Sequence, residues 1–213
     1  MKTTIKIFAM LACVASSVFA HDHSDQELTE LSSFECDFYR ICTPEKKAAI
    51  QSQIEMNKKV AENAYTAHIE EMIANKAELN SAGLLGRTLL IEAAELGYAT
   101  AVQLLLNNGA QVDLADANGE TPLRAAARNG ELAVAQLLLS AGANSNAKDK
   151  WDLTPLHLAA SNVGNVELVQ LLLDNNANVN AVDTFKRTAL QCAEDNLKEE
   201  VAQLLRKSMS KND

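Results

Sequence analysis

From residue 88 onward the apolar positions fall into two alternating kinds of block. Short alanine- and leucine-rich blocks, "TLLIEAA" from Thr88, "TPLRAAA" from Thr121, "TPLHLAA" from Thr154 and "TALQCAE" from Thr188, each open on a threonine and place apolar groups at helical spacing. A second block follows each one: "QLLLNNGA" from Gln103, "QLLLSAGA" from Gln136, "QLLLDNNA" from Gln170 and "QLLRKSM" from Gln203. The threonines recur at spacings of 33, 33 and 34, and the glutamines keep the same register. Two motifs sharing one period define an internal repeat, each unit holding two short helices separated by polar turns.

The residues within a unit have definite physical roles. The threonine is placed to cap the first helix, and Pro122 and Pro155 sit at its first position, where a missing N–H costs nothing. Ala93, Ala94, Ala126, Ala127, Ala159 and Ala160 are small enough for neighbouring helix pairs to approach closely. The leucine triplets supply the buried face of the second helix, and Gly109 and Gly142 are placed to end it in a left-handed cap.

These motifs, over about Leu84 to Lys207, resemble the ankyrin repeat family, whose unit is a β-turn plus two helices with a T-P-L-H-x-A signature. The resemblance implies an all-α repeat solenoid of helix-turn-helix units with projecting β-turn fingers. The expected units are 83–116, 117–149, 150–183 and a C-terminal capping unit over 184–213. Val163 is read as a single insertion in the third unit, lengthening the turn before Gly164. In the fourth, Leu197 replaces the glycine of the others and Arg206 replaces a leucine, as suits a terminal unit on which nothing stacks. Upstream, "VAENAYTAHIEEMIANKAELNSAG" aligns Val60 and Ala61 with Ala93 and Ala94, and Met72 and Ile73 with the leucine triplet. Residues 44–82, opened by a helix start at Thr43-Pro44-Glu45, are therefore expected to form a degenerate N-terminal capping repeat.

The first twenty residues, "MKTTIKIFAMLACVASSVFA", have basic Lys2 and Lys6, an apolar stretch and a small-residue end. They read as a secretory signal peptide cleaved after Ala20, which places the mature chain in the periplasm or outside the cell. Lipidation at Cys13 is the competing reading, against which Met10-Leu11-Ala12 is a poor recognition sequence. No other apolar run reaches a membrane span. In an oxidising compartment Cys36 and Cys42 are expected to pair within the extension 21–43, stabilising by about 2 kcal/mol on the chain-entropy model. Leu28, Leu31 and Phe34 mark a short helix in the same extension, and Cys192 reads as a small buried residue.

Composition and charge narrow the function. At 47% hydrophobic, with 8 glycines and 3 prolines, the chain is globular and helix-leaning. Removing Lys2 and Lys6 leaves 17 basic residues against 28 acidic ones, a formal charge of −11. That surface repels nucleic acid and favours a basic protein partner. No G-x-S-x-G, phosphate-cradling loop or H-E-x-x-H motif occurs, so no enzyme and no cofactor are expected. His157 occupies the signature's structural position, and His68, on the capping unit, is read as structural too. Cleavage after Ala20 would expose His21-Asp22-His23, which resembles the amino-terminal copper motif. This gives an alternative reading, a copper-binding periplasmic protein with His21 and His23 as ligands.

The family resemblance implies partner binding through finger tips and inner helices. Carried over, the binding positions are Leu84, Leu85, Arg87, Asn118, Glu120, Arg128, Lys150, Trp151, Leu153, Thr184, Phe185 and Arg187, with Glu95, Leu96, Asn129, Ser161, Asn162, Asp195 and Asn196 on the inner helices. The tryptophan, the chain's single one, stands at a fingertip flanked by Lys150 and Asp152, the composition of an interface anchor. Alternatively Trp151 and Phe185 pack on each other and stiffen the fingers. Asp152 and Lys186, replacing the turn glycines Gly86 and Gly119, predict altered shapes for those two fingers. The expected function is protein binding, as an inhibitor or immunity-like protein or as support for another periplasmic enzyme, by a monomer.

Overall fold

The computed structural model describes residues 44–163 and 165–210. The chain divides into two compact units, Met1–Asn57 and Lys58–Asp213. The expected signal peptide over residues 1–20, His21, His23, Cys36, Cys42, the short helix expected around Leu28 and the glycine Gly164 lie outside the described residues.

Among the described residues there are nine α-helices. The first, α1 (Pro44–Ala74), begins at the predicted proline. In the first unit it runs over residues 44–57, with an i,i+4 bond from Gln53 to Asn57. The remaining helices form four pairs: α2 (Leu89–Leu96) with α3 (Ala99–Asn107), α4 (Pro122–Asn129) with α5 (Leu132–Ser140), α6 (Pro155–Leu158) with α7 (Val166–Asp174), and α8 (Ala189–Asp195) with α9 (Glu199–Met209). First helices stack on first helices and second on second, the contact pattern of a repeat solenoid.

The caps act as the sequence predicts. Thr88, Thr121 and Thr188 accept through Oγ1 from the backbone N–H three residues on, at 3.3, 3.4 and 3.3 Å. The alanine pairs Ala93/Ala94, Ala126/Ala127 and Ala159/Ala160 are fully buried where first helices meet. Any larger group there would force the stack apart. Gly109 and Gly142 hold φ of 85° and 88°, closing α3 and α5 in the left-handed region. In the last unit Glu194 takes the place of the second alanine and pairs with Arg206 at 2.6 Å, giving the stack a charged end. On the side away from the fingers a second register holds the loops together. Asn80, Asp113 and Asn146, each one period apart, accept the N–H of Gln111, Asn144 and Asn178 at 2.8, 3.0 and 2.7 Å.

Three expectations are corrected. Residues 44–82 contain one helix and a loop, and the alignment of Val60 and Ala61 with Ala93 and Ala94 fails, since both are exposed where the alanines are buried, while Ile69 of α1 is fully buried. The extra residue in the third unit, expected to lengthen the turn before Gly164, is absorbed within the helix as a π-helical turn over Ala159–Val163. His68 is exposed on α1 and has no structural role like that of His157.

Candidate binding surface

Three of the four fingers are tight loops built on one aspartate, and in the first Gly83 takes its place, donating its N–H to the Arg87 carbonyl at 2.8 Å. Asp116, Asp149 and Asp183 each donate their backbone N–H to a carbonyl four residues on, at Glu120, Leu153 and Arg187, over 3.0, 3.3 and 3.0 Å. Their Oδ1 atoms accept two N–H groups apiece: from Asn118 and Glu120, from Trp151 and Leu153, and from Phe185 and Arg187, all at 2.8 or 2.9 Å. A short acidic side chain that bonds its own loop is the usual device for such a turn. Burial works against the Asp183 charge, but these N–H donors and the Arg187 guanidinium, 2.9 Å away, hold its carboxyl below the usual range.

The loops are also joined to one another. The N–H groups of Ala117, Lys150 and Thr184 donate to the carbonyls of Leu85, Asn118 and Trp151 at 3.0, 3.4 and 3.0 Å. This backbone ladder sets the spacing of the tips. At Gly119 the neighbouring finger comes so close that a Cβ would lie 2.9 Å from Asp149 Cα, so a side chain has no room there. Asp152 and Lys186 adopt the glycine conformation themselves, with φ of 59° and 63°, and keep the aspartate-centred bonds. The altered finger shapes predicted from their side chains are therefore not found, and the strain stays local.

The tips carry Leu85, Asn118, Trp151 and Phe185. Leu85, Trp151 and Phe185 are 64%, 48% and 74% exposed, far from the usual burial of such groups. The two aromatic rings do not form a pair: Lys150 Nζ stands 4.3 Å from the Trp151 ring centroid and Arg187 Cζ 5.2 Å from that of Phe185. Such cation–ring contacts contribute about 0.5–1 kcal/mol when exposed. Lys150 also donates to Asn118 Oδ1 at 2.7 Å, bridging two tips. Thr184 is exposed beside Phe185, whereas Leu153 is half-buried against the core and supports the finger from below. Leu84 lies in the first turn, its side chain outside the described part, as is that of Asn162.

Behind the tips, charges at the finger bases and on the inner helices form a chain of ion pairs. Arg87 bonds Glu95, Glu95 bonds Arg128 at 3.0 Å, Arg128 approaches Glu120 at 3.1 Å, and Glu120 bonds Arg124 at 2.8 Å. Arg124 then meets Asp149 at 2.6 Å, with both side chains buried. Burial pushes the Glu120 carboxyl upward, against the pull of Arg124 and Arg128. Arg87, Glu120 and Arg128, predicted as contact residues, thus each have an ionic partner within the chain: Arg87 has Glu95, Arg128 has Glu95 and Glu120, and Glu120 also has Arg124. Arg124 was not predicted at all. The signal lies in the register: Arg87 and Glu120, and Glu95 and Arg128, are opposite charges one period apart.

His157 is the counterpart of Arg124 in the third unit. Its Nδ1 accepts the Thr154 N–H at 3.3 Å, which leaves Nε2 to donate to the Arg187 carbonyl at 3.1 Å. Burial pushes the imidazole pKa down. Cys192 is buried, as expected, and burial pushes its thiol up. Among the described residues no helix is long and apolar enough to cross a membrane.

A family model described as ankyrin repeats (3 copies) matches residues 58–149 and 141–213. No curated protein matches the chain.

Proposed function

The chain belongs to the ankyrin repeat family, and from that premise we propose that it works in the periplasm, binding a partner protein along its finger row and inner helices. Ankyrin repeats generally mediate protein–protein interaction, and their proteins are typically non-enzymatic binding modules. The observation that carries the reading is the row of exposed apolar tips, Leu85, Trp151 and Phe185, fixed in spacing by the backbone ladder. Rigid exposed aromatics lose little conformational freedom on binding and commonly anchor interfaces.

The export reading supports two forms of this function: an inhibitor or immunity-like protein that occludes its partner, or a support for another periplasmic enzyme. The chain's net negative charge favours a basic protein at long range, while contact at the tips is governed by local charge. The test is capture of envelope proteins on the mature chain and on a Trp151→Ala/Phe185→Ala variant. A partner retained by the wild type alone, with thermal unfolding nearly unchanged, supports the reading. Identical captures with a large loss of stability would assign both rings a structural role. Copper binding, suggested by His21-Asp22-His23 in the sequence, would survive that double change and fail in His23→Ala.

A further inference from the structure

The two aromatic fingertips present a charge opposite to that of the chain. Asp149 and Asp183 turn inward, one toward Arg124 and the other toward Arg187, and use their remaining oxygens on backbone N–H groups. The outward cations are Lys150, over Trp151, and Lys186, which pairs with no carboxylate among the described residues; Arg187, over Phe185, is ion-paired with Asp183 at 2.9 Å. Of the outward groups on these two loops Asp152 is acidic, and it is bonded to Lys148 at 3.1 Å. Asp195, 3.8 Å from Arg187, belongs to helix α8 behind the tip. An edge that alternates exposed ring and exposed cation, on a chain of net charge −9, is complementary to one kind of ligand.

We propose that the tips of the third and fourth units dock an acidic peptide segment of the partner protein, in which Asp or Glu alternates with apolar residues. Its carboxylates meet Lys150 and Lys186, and its apolar side chains cover Trp151 and Phe185. The ladder bond from Thr184 N–H to the Trp151 carbonyl holds the two tips at fixed spacing, so little ordering is needed on binding. A protein segment is favoured over an anionic lipid surface because the acidic remainder of the chain is repelled by a uniformly negative plane, whereas a short segment touches the tips alone. The proposal rests on the protein-binding reading above and adds the chemistry of the contact.

The chain's single tryptophan makes Trp151 fluorescence a reporter of the site. Full-length chain would be used to select from a displayed library of random twelve-residue peptides, and the enriched peptides titrated by fluorescence. The expected result is enrichment of Asp and Glu next to apolar residues. Affinity should weaken with added salt and fall at least tenfold in Lys150→Glu/Lys186→Glu, two exposed positions whose reversal leaves the chain folded with a single cooperative unfolding transition. Enrichment of Lys and Arg, no enrichment, or binding indifferent to the double reversal overturns the proposal. So does a saturable blue shift with phosphatidylglycerol vesicles in the absence of any selected peptide. Capture of a partner that depends on Trp151 and Phe185 but not on Lys150 and Lys186 would leave the protein-binding reading standing and remove this one.

Discussion

Arg124 Nη2 lies 2.6 Å from Asp149 Oδ2, with both side chains buried, so the first helix of one unit is ionically tied to the finger of the next. The guanidinium also bonds the Leu153 and Gly119 carbonyls at 3.2 and 2.9 Å and Glu120 at 2.8 Å, so four of its five N–H donors are engaged. Removing one member of such a buried pair leaves the other charge without compensation. Arg124→Ala should cost about 3–5 kcal/mol. Arg124→His, which can keep a bond to the Leu153 carbonyl as His157 does to Arg187, should cost less. Urea unfolding of both variants checks the order, and equal losses would mean that the bond to the Leu153 carbonyl adds nothing measurable once the contact with Asp149 is gone.

His157 makes stability depend on pH in a defined direction. Burial lowers its folded pKa below its ordinary value of about 6.5, so on acidification the unfolded chain takes up the proton first. Its contribution is full above about pH 6.5 and declines as pH falls toward the folded pKa, by at most about 1.4 kcal/mol per pH unit. Protonation also abolishes the acceptor on which the Thr154 N–H depends. Gln fits the same role in the fourth unit, where Gln191 Oε1 accepts from the Thr188 N–H at 2.8 Å. Urea midpoints at pH 7.5 and 5.5 should therefore drop more for the wild type than for His157→Gln. The carboxylates contribute alike to both proteins, so equal drops would show the buried imidazole to be uncoupled from folding.

Leu197 stands at a helix end with φ of 56° and is 91% exposed, so its side chain gains little burial in return for a left-handed backbone. Its counterparts Gly97 and Gly130 hold 70° and 75° without that cost. Leu197→Gly should raise stability by roughly 1 kcal/mol, or about 2–4 °C in Tm for a chain of this size. The reverse exchange should be unfavourable. At Gly97 a Cβ would also sit 2.1 Å from the Glu131 carboxyl carbon, which is held by Lys58 at 2.9 Å, so Gly97→Ala should lower Tm. Differential scanning calorimetry of the two variants should give shifts of opposite sign.

These cases mark how far the sequence could be read. Period, caps and alanine pairs were legible because each depends on a residue's own size or hydrogen-bonding group, as with Thr88 or Ala126. The ion pairs of Arg87, Glu120 and Arg128 were not, because which neighbour a charge at a finger base or on an inner helix meets depends on how the units pack, visible in sequence only as alternating sign one period apart. Asp152 and Lys186 misled for a different reason. A left-handed residue costs only about 1–2 kcal/mol, which the surrounding bonds of Asp149 and Asp183 offset, so loss of glycine did not mean loss of the turn.

The amino-terminal helix tests the register directly. Sequence alignment pairs Val60 with a fully buried alanine, yet Val60 is 63% exposed, while Ile69, 0% exposed, packs into the core. The helix is held against α2 and α3 by polar contacts as well: Tyr65 donates to the Leu89 carbonyl at 3.1 Å, its ring centroid lies 5.6 Å from that of Tyr98, and Glu62 accepts the Thr100 N–H at 2.9 Å. That last bond caps α3, whose own N-cap residue Tyr98 supplies no side-chain cap. Ile69→Ala should therefore cost about 2–5 kcal/mol by leaving a cavity, whereas Val60→Ala should change stability by no more than about 0.5 kcal/mol. Equilibrium unfolding distinguishes the two registers: if Val60→Ala proved the costlier change, α1 would have to turn so that Val60 enters the stack, as a complete repeat would require.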